Sequence, residues 1–496
     1  MDMTNKIVCF SMLAPLVPVA AALAGNGQER KPNVIFILTD DQRWDALGYA
    51  GNKIISTPEL DRLAGEGVYF KNSFVTTPIS GASRATILTG MYERTSHYTF
   101  GMGNIPSGLL EGSYPALLKR NGYHTGFYGK FGVNCASEMI KVLFDKSEIY
   151  DRKSPTGYFH KTIDGDTVHL TDYTGWQARK FIDAAPKDKP FCLSLSFSAP
   201  HAHDPSPEQY MWQASMDGLY RDVTIPDPVM GDEKYFLAQP EYVRKGINRE
   251  RWYWRFDSPE KYQHSVKGYY RMISGVDAEV GKIRRVLESN GLADNTIIIF
   301  MGDNGYFEGE RQLAGKWLMY ENSLRVPMII YDPRNGVHRD VDQMALNLDI
   351  ARTILGFCGV EAPPVMQGED LSVYASKKGG EIARESFMCE HLWNNPRVPA
   401  SEGMRTAEWK YFRYRDHSPS EELYNVKSDP WEMHNLAGDP RYKATLDELR
   451  GRCDAMIATY AKAGEGYRSQ YTPSAKQQAK SKAKEKVQQK KQQSKK

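Results

Sequence analysis

Cysteine is scarce, with six in 496 residues. Cys9 lies in the N-terminal segment, which leaves Cys135, Cys192, Cys358, Cys389 and Cys453 for the mature chain. Their wide, irregular spacing excludes a disulfide scaffold and a cysteine-based zinc site. An odd number leaves at least one thiol free, and buried free cysteines are the expectation. Long apolar runs are also lacking. Beyond residue 24 no stretch approaches the roughly 20 apolar residues that a spanning helix needs, so no transmembrane segment is expected. A basic body is missing too. The net charge is +3, but Lys476–Lys496 alone carries nine lysines against one glutamate, and the rest of the chain is at −5. That balance excludes the positive face of a nucleic-acid-binding domain.

The N-terminus does hold one apolar run. Lys6 is followed by Ile7 to Leu23, broken by Pro15 and Pro18, and Ala22-Leu-Ala24 gives a small-x-small pattern. Residues 1–24 read as a cleaved signal peptide, which places the mature protein in the periplasm or outside the cell. Residues 471–496 are Lys, Gln, Ser and Ala and read as a disordered tail.

Between these ends the pattern alternates. Val34–Leu38 is an uninterrupted apolar run, as in a strand buried on both faces of a parallel sheet. Further strands are expected at 124–130, 190–197, 295–301 and 326–331. Helices are expected at 57–64, 109–122, 176–185 and 262–290, with Gly122 and Gly291 just past two of their ends. Strands alternating with helices predict a large, mostly parallel mixed sheet sandwiched by helices, an α/β fold, over residues 31–382. Residues 205–262 break that rhythm as an insertion rich in Tyr, Trp and Pro. From 383 to 470 the alternation of Glu408–Tyr414 and a helical pattern at 442–463 predict a smaller α+β subdomain with an antiparallel sheet.

Chemistry concentrates at the strand ends. Asp40, Asp41, Asp303 and Asn304 close two apolar runs and offer hard oxygen ligands, with no histidine or cysteine at metal spacing beside them. That set suits Ca2+ or Mg2+, and Ca2+ is favoured because it accepts bidentate carboxylates. Lys130, His201, His203 and Lys316 follow other apolar runs or sit in glycine-flanked loops. Pro78-Ile-Ser-Gly-Ala-Ser-Arg-Ala-Thr-Ile-Leu-Thr-Gly90 reads as a loop entering a helix. Ser80 at the helix start and Arg84 one turn on would share a face and form an anion site. Taken alone, the same residues read equally well as a serine-capped helix.

Together these pieces resemble a type I sulfatase of the alkaline phosphatase superfamily. Ser80-Gly-Ala-Ser83-Arg84 with Thr89-Gly90 matches the family signature in its serine form. Asn33–Asp41, Gly122-Tyr-His-Thr125, Gly129-Lys130, Pro200-His201, Gly302-Asp-Asn-Gly305 and Arg325-Val-Pro327 are further landmarks, and the resemblance runs from Pro32 to about Asp439. It implies that a serine-type maturase oxidises Ser80 to Cα-formylglycine, whose hydrate is the nucleophile. One hydroxyl attacks sulfur, and the second then loses its proton and expels sulfate. Asp40, Asp41, Asp303 and Asn304 would hold Ca2+ together with the residue-80 oxygen. Arg84 would stabilise the hydrate, Lys130 and Lys316 would neutralise sulfate oxygens, and His201 would protonate the leaving sugar oxygen. The chain departs from the pattern at Gly132, where family members often carry a histidine. That histidine's job is then either dispensed with or taken by another group such as His203 or His124. Ala82 replaces the commoner proline.

The aromatic insertion predicts a carbohydrate substrate, because Trp and Tyr faces stack on sugar rings. His203, Asp204 and Trp254 are the candidate contacts to a sulfated oligosaccharide. Two alternatives remain open: a phosphodiesterase or phosphonate hydrolase on the same scaffold, and a non-catalytic glycan-binding protein with unmodified Ser80.

Overall fold

The computed structural model describes residues 30–393, 395–418 and 420–471. The signal segment 1–24 and the tail from residue 472 lie outside the described residues. The strand Asn33–Asp40 is buried along its whole length. Side chains alternate along a strand, so Val34, Phe36 and Leu38 enter one core while Ile35 and Ile37 enter another. An apolar run without polar interruption is what two covered faces require. Ile37→Ala would cost about 2–5 kcal/mol through the cavity it leaves.

Around this strand an eight-stranded sheet is built. Its order is Arg339–Val341, Val68–Phe70, Met328–Tyr331, Thr296–Gly302, Asn33–Asp40, Phe191–Pro200, His124–Gly129, Lys146–Ile149. Met328–Tyr331 runs antiparallel to both of its neighbours, and every other pairing is parallel. One face carries helices Ser80–Thr89, Tyr114–Arg120 and Asp349–Phe357. The other carries Pro58–Glu66, Leu170–Asp183 and the 31-residue Pro259–Ser289. Ser258 caps the last of these by accepting a hydrogen bond from the Lys261 amide at 3.3 Å.

The C-terminal part forms a four-stranded antiparallel sheet, Ser386–His391, Ser401–Thr406, Trp409–Tyr414 and Glu421–Asn425. Phe387, Met388, Phe412 and Tyr424 share a core with Val34 and Phe36. On the opposite face Met404, Tyr411 and Leu423 pack on Leu446, Leu449 and Cys453 of helix Lys443–Ala463.

Several expectations are corrected. The helix expected at 109–122 is two, Ser107–Glu111 and Tyr114–Arg120, parted at Gly112-Ser113. The helix expected at 176 starts at Leu170, because the His169 side chain accepts from the Thr171 amide as its cap. Within the aromatic insertion lies the helix Ile247–Arg255. The edge strand Lys146–Ile149 has no apolar run to betray it. Cys135, Cys192, Cys358, Cys389 and Cys453 form no disulfide. Among the described residues no helix is long and apolar enough to cross a membrane.

Candidate active site

In an open α/β sheet the carboxyl ends of the strands form the functional edge. Here five neighbouring strands deliver Asp40-Asp41, Lys130, Asp151-Arg152, His201 and Asp303-Asn304 to that edge. Helix Ser80–Thr89, all of whose residues are buried, starts at the same place. Ser80 does not cap it: Ile79 is the cap residue and no side chain caps the amides. Ser80 Oγ instead donates to Asp40 Oδ1 at 3.0 Å, lies 3.4 Å from Asn304 Oδ1, and accepts from Lys316 Nζ at 3.1 Å.

Two ammonium groups close over the acids. Lys130 Nζ pairs with Asp40, and Lys316 Nζ pairs with Asp41. Asn304 Nδ2 donates to Asp41 Oδ1 at 2.6 Å, and the Asp41 amide donates to Asp303 Oδ1 at 3.1 Å. Asp41 is itself in the left-handed region at φ 68°, a conformation that Asp tolerates better than most residues. Arg84 Nε donates to Asp303 Oδ2 at 2.9 Å, and its Nη1 donates to the Lys130 carbonyl at 2.7 Å and to Ser196 Oγ. Gly132 makes this possible: at φ +72° it lies so close that a Cβ there would sit 2.6 Å from Arg84 Cδ. Lys316 is held by an adjacent strain. Trp317 sits at φ 81°, costing about 1–3 kcal/mol, pinned among Ile79, Ala82 and Val398 with its amide bonded to the Pro78 carbonyl.

His201, which no metal-type sequence spacing links to the acids, completes the cluster. Its Nε2 lies 3.5 Å from Asp41 Oδ2, and Asp40, Asp41 and His201 form one close group of possible ligands. The two loops are far apart in sequence, so spacing alone could not bring them together. Arg152 Nη1 contacts His201 Nδ1 and the Ala202 carbonyl. His201 Nδ1 also lies 2.6 Å from the Ala202 carbonyl, so this nitrogen faces both a donor and an acceptor while Nε2 faces the acids.

Charge follows from these contacts. Burial alone would raise Asp40, but Lys130, His201, Lys316 and Arg84 hold it well below the usual carboxylate range. Burial and the neighbouring Asp40 push Asp303 up to about 6, against Arg84 and Lys316. Burial, then Arg152 and Lys316, push His201 well below its ordinary value, against the pull of Asp40. Asp151 is drawn down to about 2, with Lys130 and Arg152 outweighing its burial. Within the cluster, two buried polar atoms have no hydrogen-bond partner among the described residues, Asp41 Oδ2 and Arg84 Nη2.

Ser80, Arg84, Lys130, His201, Lys316, Asp40, Asp41, Asp303 and Asn304 are therefore brought together. His203, Asp204 and Trp254 stand apart from them. His203 is buried with its amide bonded to the Gln209 carbonyl. Asp204 pairs with Arg251 and Arg255, and Trp254 lies half-buried beside the Arg255 guanidinium. Asp151, Arg152 and Ser196 are site residues that sequence reasoning misses. The one signal for Asp151 and Arg152 is position just past a strand end, and that strand is polar, while Ser196 lies within the strand Phe191–Pro200.

A mostly parallel sheet with buried acids, ammonium groups and a helix-start serine at its carboxyl edge defines an alkaline phosphatase-like hydrolase of anionic esters. The chain belongs to the sulfatase family, whose model matches residues 32–360. It is accordingly a sulfuric ester hydrolase. A second model, N-sulphoglucosamine sulphohydrolase, C-terminal, matches residues 309–459. An N-acetylglucosamine-6-O-sulfatase of Bacteroides thetaiotaomicron is 27% identical, covering 88% of this chain and 89% of that protein. An ulvan-active sulfatase of Formosa agariphila is 27% identical, covering 89% and 83%. The structure of BT4656 in complex with its substrate D-glucosamine-2-N,6-O-disulfate aligns at TM-score 0.72 and 25% identity, covering 87% of this chain and 99% of that one. A phosphonate monoester hydrolase of Silicibacter pomeroyi aligns at TM-score 0.73 and 19% identity, over 86% and 96% of the two chains. That likeness shows a shared fold alone.

Proposed function

We propose that the chain removes sulfate from a sulfated carbohydrate, with Ser80 converted to Cα-formylglycine and a Ca2+ ion held by the strand-end acids. One observation carries this reading: Ser80 Oγ lies at a helix start, 3.0 Å from Asp40 Oδ1 and 3.1 Å from Lys316 Nζ. A plain serine hydroxyl is a weak nucleophile with no base beside it but a carboxylate whose proton affinity is depressed. A hydrated aldehyde at that position supplies a more readily ionised hydroxyl and a second one able to release the product.

The residues fit a hard cation. Asp40, Asp41, Asp303 and Asn304 present oxygen donors, the buried Asp41 Oδ2 lacks a partner, and Asp303 is held unusually high beside Asp40. Those four, with the oxygen of residue 80, would hold Ca2+. When bound, the ion would polarise a sulfate oxygen and ease ionisation of the nucleophile. Lys316 contacts the Ser80 oxygen and Lys130 pairs with Asp40, which accepts from that oxygen; both would meet the remaining sulfate oxygens, each a charge-assisted contact that strengthens as charge develops. Arg84, fixed by three acceptors, keeps Asp303 and the helix start in register. His201 Nε2 faces the cluster and, in its protonated form, His201 would give a proton to the departing sugar oxygen, returning to neutral imidazole. Arg152 acts as a positioning residue through its contacts with the ring and with the Ala202 carbonyl.

The carbohydrate reading is supported by the aromatic insertion and by relatives named for glycan sulfates. His203, Asp204 and Trp254 would face the sugar. We take residues 31–382 as the catalytic unit and 383–470 as its companion. The apolar N-terminal segment supports export, and a serine-type maturase would be the processing partner. The test is the mass of the Ser80 peptide from a host with such a maturase, which should fall by two hydrogens. Sulfate release is then measured on a panel of sulfated mono- and disaccharides, with a phosphate diester as comparator. An unmodified peptide from that host, or a preference for the diester, would overturn the proposal.

A further inference from the structure

A large cavity lies away from Ser80. It holds about 400 Å3 and opens between the segment 230–244 and the C-terminal sheet. None of its lining residues belongs to the Ser80 cluster. Such a volume falls within the range of about 300–1,000 Å3 typical of ligand sites. Its wall is an alternation of tyrosine rings and hydrogen-bonding groups. Tyr242 packs edge-on to Tyr414, with ring centres 5.1 Å apart, and stacks on His417.

The polar groups are incompletely used. Glu422 is 4% exposed; its Oε2 accepts from Tyr320 at 2.8 Å and from Tyr424 at 2.6 Å, while its Oε1 has no partner among the described residues. The Tyr414 hydroxyl lies close enough to Glu422 and Tyr320 to interact with both. Arg244 Nε is likewise unpartnered. A buried oxygen left in this way costs about 1–3 kcal/mol, which a ligand hydroxyl would offset.

The chemistry narrows the ligand. An apolar molecule would strand Glu422 Oε1. An anion would face Glu421, Glu422 and Glu432, three acids against Arg244, since Arg311 is committed to the carbonyls of Trp431 and Glu432 at 2.9 and 2.8 Å. A cation would find the acids already engaged, Glu421 by Arg450 and Glu432 by Lys410, and Glu422 is raised by burial toward its neutral form. What remains is an uncharged molecule with hydroxyl donors and acceptors and a face to lay on tyrosine.

We propose that this cavity binds an unsulfated pyranose unit, at a site separate from the Ser80 cluster. The hairpin Phe307–Glu308 and Ala314–Gly315 joins the two places, with Arg311 on the cavity wall and Lys316 beside Ser80. The proposal stands independently of the sulfatase mechanism. To test it, full-length Ser80→Ala protein is titrated by saturation-transfer NMR with glucose, galactose, N-acetylglucosamine, xylose and rhamnose and their common disaccharides. At least one should bind, and Tyr242→Ala and Glu422→Gln should each weaken it about tenfold or more, while Lys316→Ala leaves it unchanged. In the Ser80 background, Tyr242→Ala should keep sulfate release from a small sulfated monosaccharide within twofold. Arg244→Ala, nearer the rim, serves as a second variant should Tyr242→Ala lower the melting temperature. Failure of every saccharide to bind, or binding lost with Lys316→Ala but not with the cavity variants, overturns the proposal. Loss of sulfate release in Tyr242→Ala, with the melting temperature unchanged, would also overturn it, because the cavity would then not be separate from the Ser80 site.

Discussion

Gly132→Ala should disable the active site through Arg84 rather than through stability alone. Two effects add at this position. The backbone sits at φ +72°, where an L side chain costs about 1–2 kcal/mol. The new Cβ would also lie 2.6 Å from Arg84 Cδ, well inside van der Waals contact. That atom is no free end, because the guanidinium beyond it is fixed by Asp303, the Lys130 carbonyl and Ser196. Relieving the contact means giving up at least one charge-assisted hydrogen bond, worth about 1.5–3 kcal/mol. At about 1.4 kcal/mol per factor of ten, the loss in kcat/KM should be about 10- to 150-fold. Gly291→Ala separates the two effects, since Gly291 has φ +66° and a Cβ there would meet nothing within 4 Å. Gly291→Ala should lose only the stability that the backbone strain costs, Gly132→Ala should lose that and more, and only Gly132→Ala should lose activity. Sulfate release and thermal melting on the two variants side by side make the measurement. Gly132→Ala activity within twofold of Gly291→Ala would refute the reasoning. Gly132→His, which restores the commoner family residue, should be no better than alanine because its Cβ meets the same atom.

Lys316→Ala should lower kcat about 10^2- to 10^3-fold with Ser80 still processed, by analogy with removal of one oxyanion donor; a loss under fivefold would remove Lys316 from the reaction. Calcium removal by chelator should lower both activity and the melting temperature, and added Ca2+ should restore both. The stabilisation is about 2.7 kcal/mol at a hundred times the dissociation constant, and an unchanged melting curve would argue against a bound cation. Asp277 should make stability fall as pH rises. Burial pushes its carboxyl up to about 7, despite hydrogen bonds from the Leu60 and Glu59 amides. The unfolded value is about 3.9, so between these limits the folded chain binds more protons, and stability is lost as pH climbs through that window. Asp277→Asn should flatten the slope of unfolding free energy between pH 5 and 7 by up to about 1.4 kcal/mol per pH unit. Parallel urea curves for the two proteins would contradict this.

The parts of the fold legible in the sequence are those whose pattern has one cause. Val34–Leu38 and Ile297–Met301 are apolar without interruption because both faces are covered, and both read as buried strands. Lys146–Ile149 escapes notice because an edge strand with exposed side chains carries no such signal. The early start of Leu170–Asp183 is hidden because histidine is an uncommon cap and the Thr171 bond to its Nδ1 is visible only in space. The acids and lysines of the site are legible as strand-end residues. His201's approach to Asp41 is not, since it depends on the register that sets Asp40 beside Pro200.

The helix-start serine shows why position and company have to be read together. As a cap, Ser80 would accept a hydrogen bond from an amide of the first turn, and the helix would be its own explanation. In the structure that bond is absent: Ile79 occupies the cap position, and the hydroxyl turns outward to Asp40 and Lys316. Helix Ser80–Thr89 thereby forgoes a contribution of about 0.5–2 kcal/mol, although every residue in it is buried. A helix held by burial has no need of a side-chain cap, so its first turn is free to present a reactive group at a positive dipole end. Burial of Arg84 against Asp303 fixes the same turn from within. The burial that holds the segment without a side-chain cap is what leaves its first side chain available for chemistry.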